Sequence, residues 1–168
     1  MSSETFTTAM FLIAAIISAG VLINAVFPVV YTLAGTIASS SHKVDERLST
    51  DVKIVTTYAS GGDAKSARIW LKNVGTGRIA DADVRKADVF LGGQGDFIRL
   101  TWKSGEPLAY GTWTHRILEE TQNNYWDPGE TLYIEAMTDR IPGRGDITYF
   151  QFVLPTGLSR SATFTASD

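Results

Sequence analysis

Residues 5–42 read TFTTAMFLIAAIISAGVLINAVFPVVYTLAGTIASSSH, a run of 38 residues that contains no Asp, Glu, Lys or Arg. As a helix with a rise of about 1.5 Å per residue, this run would be roughly 57 Å long, whereas the hydrocarbon core of a bilayer is about 30 Å thick. A two-span hairpin that breaks at Pro28 leaves a second arm well short of the roughly 17 residues that a span needs. The run therefore predicts one continuous helix that lies in lipid before assembly and packs against other copies of the chain afterwards.

Small residues interrupt the large apolar ones along this predicted helix. Small side chains let helix backbones approach closely in an environment where lipid supplies no hydrophobic driving force. The alternative is a solitary membrane anchor whose apolar residues only match the lipid, and the length of the run argues against it. The candidate assembly residues are Ala15, Ser18, Ala19, Gly20, Asn24 and Pro28.

Pro28 is expected to bend or locally unwind the helix, because it has no N–H to donate to the carbonyl of Asn24. The Asn24 amide is then able to satisfy a freed backbone group or to hydrogen-bond across a helix interface. A tolerated polar residue near the membrane interface is the other interpretation.

The flanks of the run carry few targeting signals. Only Glu4 precedes it, so the basic region of a secretory signal is missing, and the run is far longer than the apolar region of such a signal. We expect the segment to be retained. Lys43 and Arg47 follow the run, but Asp45 and Glu46 accompany them, so charge orients the segment only weakly.

Residues 1–50 are thus predicted to form an assembly or transmembrane helix, and residues 51–168 one head domain of ordinary size. The head contains all but two of the 15 basic residues and all but three of the 18 acidic ones. This near balance disfavours nucleic acid as a partner. The chain has no cysteine, so the head must fold without disulfides.

From Asp51 onward the apolar period changes from helical to alternating, which is typical of strands. Turn residues such as Ser60-Gly61-Gly62-Asp63 and Asp127-Pro128-Gly129 separate the runs. The fold class is therefore α+β, with a long N-terminal hydrophobic helix followed by an all-β, Ig-like β-sandwich head. The eight predicted strands are 52–58, 67–72, 88–91, 97–103, 112–117, 131–137, 147–154 and 158–165.

Alternation also predicts which side chains face the core. Trp70, Tyr133 and Tyr149 are expected to point outward, where a subunit interface could bury them, although single exposed aromatic residues are also common. The expected inward set is Ile69, Leu71, Ile98, Leu100, Trp102, Leu132, Ile134, Phe150, Phe152 and Leu154.

The sequence contains little that indicates an enzyme. His42 and His115 are the only histidines, they lie far apart, and no cysteine accompanies them, so neither a zinc site nor a Cys/His nucleophile is supported. His115 is expected to be a wall residue of a strand. The glycines of 92–95 are followed by a strand pattern rather than by Lys-Ser/Thr and a helix, so they indicate a hairpin turn and not a phosphate loop.

One polar segment has the spacing of a calcium loop. In such a loop oxygen ligands alternate and a final Glu binds bidentately. Asn124 occupies the place of the central glycine, and Asn tolerates the left-handed conformation needed there. The alternative is an ordinary polar turn ahead of a strand. The candidate ligands of calcium or another hard cation are Glu119, Thr121, Asn123, Tyr125, Asp127 and Glu130, and no other cofactor is indicated.

Several segments together resemble archaellum (archaeal flagellum) proteins, which are built on the type IV pilin plan, and above all the FlaG/FlaF type. The resemblance spans most of the chain, although each match is short. It is carried by Glu4-Thr5, by Ile23-Asn24-Ala25-Val26-Phe27-Pro28-Val29-Val30-Tyr31, by Asp51-Val52-Lys53-Ile54, by Lys72-Asn73-Val74-Gly75, by Trp126-Asp127-Pro128-Gly129-Glu130-Thr131-Leu132 and by Phe152-Val153-Leu154-Pro155-Thr156-Gly157.

The resemblance implies a non-enzymatic structural protein of an extracellular filament or of the cell envelope, anchored in the membrane before assembly. Its partners would be copies of itself and other archaellum components. A subunit of the motility filament is the main hypothesis; a stator of the FlaG/FlaF type, or a membrane-anchored binding module, is the alternative. The basic residue and glycine that usually precede the apolar run of a pilin precursor are not present before Thr5.

Overall fold

A computed structural model describes residues 3–62, 65–105, 107–119 and 122–167; residues 38, 39 and 41–48 are described in backbone only. The chain divides into two compact units, residues 1–44 and residues 45–168. The first contains most of the predicted helix, and the second contains the strands together with the last helical turn. Each unit is described by itself below.

Helix α1 runs without interruption from Ser3 to Ser49, so the predicted continuous helix is confirmed. Glu4 lies in its first turn, where a negative charge favours the positive end of the helix dipole. Hydroxyl groups within the apolar segment donate to carbonyls four residues earlier, as Thr7 does to Ser3 and Thr32 to Pro28, both at 2.8 Å. The helix continues through Pro28, so local unwinding is not observed there; a bend stays a prediction.

The head contains every one of the eight predicted strands, together with three short elements that the pattern did not indicate. The additional elements are the two-residue strands β3 and β7 and the single-turn helix α2. The bounds are β1 (Val52–Ser60), β2 (Ser66–Asn73), β3 (Ile79–Ala80), α2 (Asp81–Val84), β4 (Asp88–Gly93), β5 (Asp96–Trp102), β6 (Thr112–Leu118), β7 (Tyr125–Trp126), β8 (Thr131–Met137), β9 (Ile147–Val153) and β10 (Ser159–Thr165).

The strands form two four-stranded halves that face each other, in the order β1-β2-β8-β6 and β5-β4-β9-β10. All neighbours within a half are antiparallel. The halves join through a parallel contact of β5 with β6 that pairs only Thr101 with Thr112 and Trp102 with Trp113. At the opposite edge the bridge from Ser60 to Ser167 brings β1 next to the C-terminal end of the chain. The nearly closed arrangement confirms a β-sandwich.

The core lies between the two halves and is built from the alternate residues that the pattern predicts. Eight of the ten predicted inward side chains are buried, and the other two, Ile98 and Trp102, are partly buried and pack against the core. Trp113 and Trp126 are also fully buried. Trp70, Tyr133 and Tyr149 are each half-buried on the opposite faces of their strands, as expected.

The end of the helix is held by backbone groups of the loop between β2 and β3. The carbonyl of Ser49 accepts hydrogen bonds from the N–H groups of Thr76 and Gly77, both at 2.9 Å. The carbonyl of Asp51 accepts from Val74 at 2.9 Å and from Gly75 at 3.0 Å. Carbonyls at a helix C-terminus have no partner inside the helix, so this loop supplies one. The loop of residues 74–77 therefore caps the helix at Ser49 and holds the residues that follow it within the head unit.

Asn73 fixes the shape of that loop. Its side chain is fully buried, and its amide donates to the carbonyls of Gly77 at 2.9 Å and Trp126 at 3.0 Å. Its side-chain oxygen accepts from the N–H of Gly75 at 3.0 Å. Because a buried amide is stable only when its hydrogen bonds are made, these three contacts fix the shape of the capping loop and join it to β7.

Candidate assembly helix and polar sites of the head

The predicted assembly residues are exposed along α1. All six are solvent-exposed in the single chain: Ala15, Ser18, Ala19, Gly20, Asn24 and Pro28. The stretch Ser3–Ile37 is long and apolar enough to cross a membrane, and none of its apolar window is buried within the chain. A Cβ atom added at Gly20 would meet nothing within 4 Å. The single chain therefore has room for a larger side chain at this position, and the role of Gly20 in assembly stays a prediction.

Asn24 places a polar side chain in the apolar segment, one helical turn before Pro28. The Pro28 ring removes the regular donor to the Asn24 carbonyl. Within the described part of the chain, the Asn24 side chain makes no hydrogen bond, so it does not replace that donor in its own helix. A shallow depression lies beside Pro28 and is lined by Val29, Thr32, Leu33 and Thr36. The interpretations that remain are a bond across a helix interface and a tolerated polar residue.

The segment with calcium-loop spacing folds as a turn that uses its own side chains. The oxygen of Asn123 accepts from the N–H of Tyr125 at 2.8 Å, and Asn124 has the left-handed conformation expected of it, with φ 63°. The Glu130 carboxylate accepts from the N–H of Asp127 at 2.8 Å. Tyr125 and Trp126 then pair with β3.

These contacts direct the candidate ligands away from one shared cation. One oxygen of Asp127 lies 3.3 Å from Nε of Arg78, and the other accepts a hydrogen bond from Asn123. Thr121 lies outside the described residues. In the part of the chain that the structure describes, no three His, Asp or Glu side chains are grouped as a metal site. The geometry favours the polar-turn interpretation, and the calcium site stays a prediction.

Calcium can be tested by thermal unfolding of the protein in detergent. A cation that binds only the folded state raises the melting temperature by mass action. If the loop binds calcium, excess calcium raises that temperature, and Glu130→Ala removes the increment while the chelator EGTA restores the baseline. The polar-turn interpretation predicts equal melting temperatures in calcium and in EGTA.

A polar cavity of about 230 Å³ lies where α2 meets β5 and β6. Its wall contains His115, whose Nε2 is 2.7 Å from Oδ1 of Asp81 and whose Nδ1 accepts from Nε1 of Trp102 at 3.0 Å. The other oxygen of Asp81 pairs with Arg85, and Arg85 lies over the Trp102 ring at 5.2 Å. Because Nδ1 accepts a hydrogen bond from the indole N–H of Trp102, Nε2 carries the hydrogen of the neutral ring and donates a hydrogen bond to Asp81.

This network is structural in character. Burial lowers the pKa of His115 below its usual value, and the hydrogen bond to Asp81 opposes that shift only in part. Both ring nitrogens are engaged, so neither is available to take a proton from a substrate. The expectation that His115 is a wall residue agrees with this geometry. Asp81 was not singled out in the sequence, because nothing local relates it to His115, 34 residues away, and Trp102 was predicted only as an inward residue.

The lowered pKa of His115 makes the stability of the head pH-dependent. The folded head holds His115 neutral, so below about pH 6.5 the unfolded chain binds the proton more readily and stability falls with decreasing pH. The free energy of unfolding falls by at most about 1.4 kcal/mol per pH unit, and this fall ends once the pH is below the pKa of His115 in the folded head. Urea unfolding between pH 5 and 8 measures it, and His115→Gln should flatten this part of the profile. An equal slope in the variant would contradict the prediction.

Aromatic side chains occur on both outer faces of the sandwich. On one face Trp70 and Tyr133 lie 5.2 Å apart between ring centroids. On the other, Phe97 and Tyr149 lie 4.8 Å apart, and Phe97 is 43% exposed. Phe97 was not named among the outward aromatic residues, although its alternation with the inward Ile98 places it on the outer face. These pairs are candidates for contacts between heads.

The chain thus combines an exposed apolar helix with a β-sandwich head. The archaeal-type flagellin family model matches residues 3–164, and the chain belongs to this family of structural archaellum proteins. An uncharacterized protein of Archaeoglobus fulgidus is 29% identical over 136 residues, which is 80% of each chain.

Two solved structures share the fold. The archaeal flagellum of Methanospirillum hungatei strain JF1 is similar over 97% of this chain and 93% of its own, with a TM-score of 0.69 and 17% identity. The archaellum periplasmic stator protein FlaG of Sulfolobus acidocaldarius is similar over 68% of this chain and 99% of its own, with a TM-score of 0.52 and 23% identity. The resemblance inferred from the short motifs is confirmed.

Proposed function

We propose that this chain is a subunit of an archaellum filament, in which copies of α1 form a central bundle and the sandwich heads face outward. The observation that carries the proposal is the apolar stretch Ser3–Ile37, 35 residues long and unburied in the single chain. Its large side chains are exposed, and three of them, Phe11, Ile16 and Leu22, are more than 60% exposed.

The length of this helix supports protein as the surroundings of part of it. A helix of 35 residues is about 52 Å long, so roughly 20 Å of it exceeds the hydrocarbon core of a bilayer. Moderate tilt absorbs only part of the excess. In water each buried side chain of this size contributes about 1.5–3 kcal/mol, so the excess favours burial against other copies of the helix.

The similarity to the Methanospirillum flagellum supports this proposal because it extends over almost the whole chain, helix included. At 17% identity it concerns the fold, and assembly of this chain is our inference from the exposed helix.

The second candidate is a stator of the FlaG type, held by α1 in the membrane and bound to the cell envelope through its head. The similarity to FlaG over 99% of that chain favours it. A membrane-anchored binding module with another envelope ligand is a related possibility. In both, the helix is a tether and does not polymerise.

Negative-stain microscopy separates these functions. The full-length protein is purified in detergent, and the detergent is then removed by dialysis. A filament subunit gives long filaments of uniform diameter. Separate particles or proteoliposomes without filaments would contradict the filament proposal, and saturable retention of such particles on isolated cell envelopes would support the stator.

A further inference from the structure

We propose that the outer surface of β1, β2, β8 and β6, here named the basic face, binds an acidic surface on the head of a second copy of the chain. The inference rests on the proposed filament function. It adds a contact between neighbouring heads to the contacts that α1 supplies.

Strand register places the charged side chains of these four strands on one surface. Each of them alternates with residues that point into the core, and β1, β2, β8 and β6 are paired side by side. One ion pair lies within the surface, with Nε of Arg68 3.7 Å from Oε1 of Glu135. The charged residues of the basic face are Lys53, Arg68, Lys72, Arg116 and Glu135.

Three of its cations have no acidic partner among the described residues. Lys53 and Lys72 are exposed, lie directly opposite each other in the register of β1 and β2, and form no ion pair. Like charges directly opposite on antiparallel strands destabilise the pair. Arg116 lies over the ring of Tyr133, at 5.6 Å, and not beside a carboxylate. An anionic partner on this surface would relieve the repulsion.

Aromatic side chains occupy the middle of the basic face. Trp70 and Tyr133 are opposite each other in the register of β2 and β8, and their ring centroids are 5.2 Å apart. Both are half-buried, so each keeps area for a further contact. Aromatic residues and Arg are enriched in protein–protein interfaces. A protein partner therefore fits this surface.

The charge of the head favours a second copy as that partner. Strands β1, β2, β6 and β8 contain four basic residues and one acidic residue, a net charge of +3. The rest of residues 51–168 contains nine basic and 14 acidic residues, a net charge of −5. Opposite potentials attract, whereas two basic faces repel each other. The contact is therefore between unlike surfaces of the two heads, and such contacts generate open helical arrays, as the proposed filament requires.

Lys53→Glu in the full-length protein tests this contact. In the single chain it replaces two like charges by an opposite pair with Lys72, so the melting temperature of the head in detergent should rise by roughly 2 °C. In the filament the new carboxylate would face an acidic surface. The critical concentration for filament formation, measured by sedimentation at about 0.15 M salt, should therefore rise about tenfold. At about 1 M salt the increase should shrink, because the charges are screened.

Lys103→Glu is the matched control. It makes the same change in charge at an exposed position outside the four strands, where the Lys103 ammonium donates to the carbonyl of Pro107 at 2.9 Å. Since it makes the rest of the head more acidic, it should not raise the critical concentration. Repulsion through net charge alone would raise that concentration equally in both variants.

Three results would overturn the proposed contact. If Lys53→Glu leaves the critical concentration unchanged, or if both variants raise it equally, the contact is wrong while the filament function stands. An acidic polysaccharide is the other occupant of such a surface. If Lys53→Glu forms normal filaments but no longer binds immobilised polygalacturonate, which the original protein binds, the polysaccharide replaces the second copy. If the original protein never assembles, the filament function and the contact are both wrong.

Discussion

Gly20→Leu should abolish filaments while leaving the head folded. The added side chain meets nothing in the single chain, where even a Cβ atom has no neighbour within 4 Å, so the helix itself tolerates the change. In a packed bundle the extra volume would hold neighbouring backbones apart, and close packing tolerates no such insertion. Ala15→Leu should act in the same direction. Negative-stain microscopy and sedimentation measure the loss.

Val21→Leu is the control for this prediction. It changes a neighbouring exposed position, 65% exposed in the single chain, from one large apolar residue to another. Its filaments should form normally, and all variants should have the same melting temperature for the head in detergent. Normal filaments from Gly20→Leu would show that small residues on α1 are not needed for assembly.

Gly75→Ala should destabilise the head by about 3 kcal/mol, which lowers the melting temperature by roughly 10 °C. A Cβ atom at this position would lie 2.3 Å from the carbonyl oxygen of Ser49 and 2.5 Å from the N atom of Asp51. Both are backbone atoms, so neither moves without disturbing the end of α1. The hydrogen bonds from this loop to the carbonyls of Ser49, at the helix end, and of Asp51 would be broken or stretched.

The measurement is thermal unfolding of a fragment that begins at Asp45, because the capped turn belongs to the head unit. Gly143→Ala is the control, since its Cβ would approach only the Asp146 carboxylate at 3.9 Å. That variant should stay within about 0.5 kcal/mol of the original head. Equal melting temperatures for the two variants would mean that the loop does not hold the helix end.

Local sequence patterns were enough to predict the long helix and the eight longer strands. A charge-free run of 38 residues predicts a helix, and alternation in segments such as 131–137 predicts strands and their buried faces. The elements that were missed are β3, α2 and β7. Each spans only two to four residues, too few for a period to be recognised, and β3 and β7 exist because distant parts of the chain pair with each other.

The polar sites were less predictable, because their partners are distant in sequence. Spacing in 119–130 indicated a calcium loop, yet Asp127 interacts with Arg78 and Glu130 with the backbone of Asp127. Spacing gives the positions of oxygen atoms along a chain but not their directions. In the same way, the sequence indicated Asn73 as part of a turn and of a family motif, but not that its buried amide bonds to Trp126, 53 residues away.

The central claim is that α1 supplies the contacts that hold copies of this chain together. Helical reconstruction of the assembled full-length protein by electron cryomicroscopy tests it most directly. The account predicts a filament whose axis is surrounded by packed α1 helices over residues 3–37, with the sandwich heads outside. A filament in which the helices lie apart and the heads make the continuous contacts would contradict it.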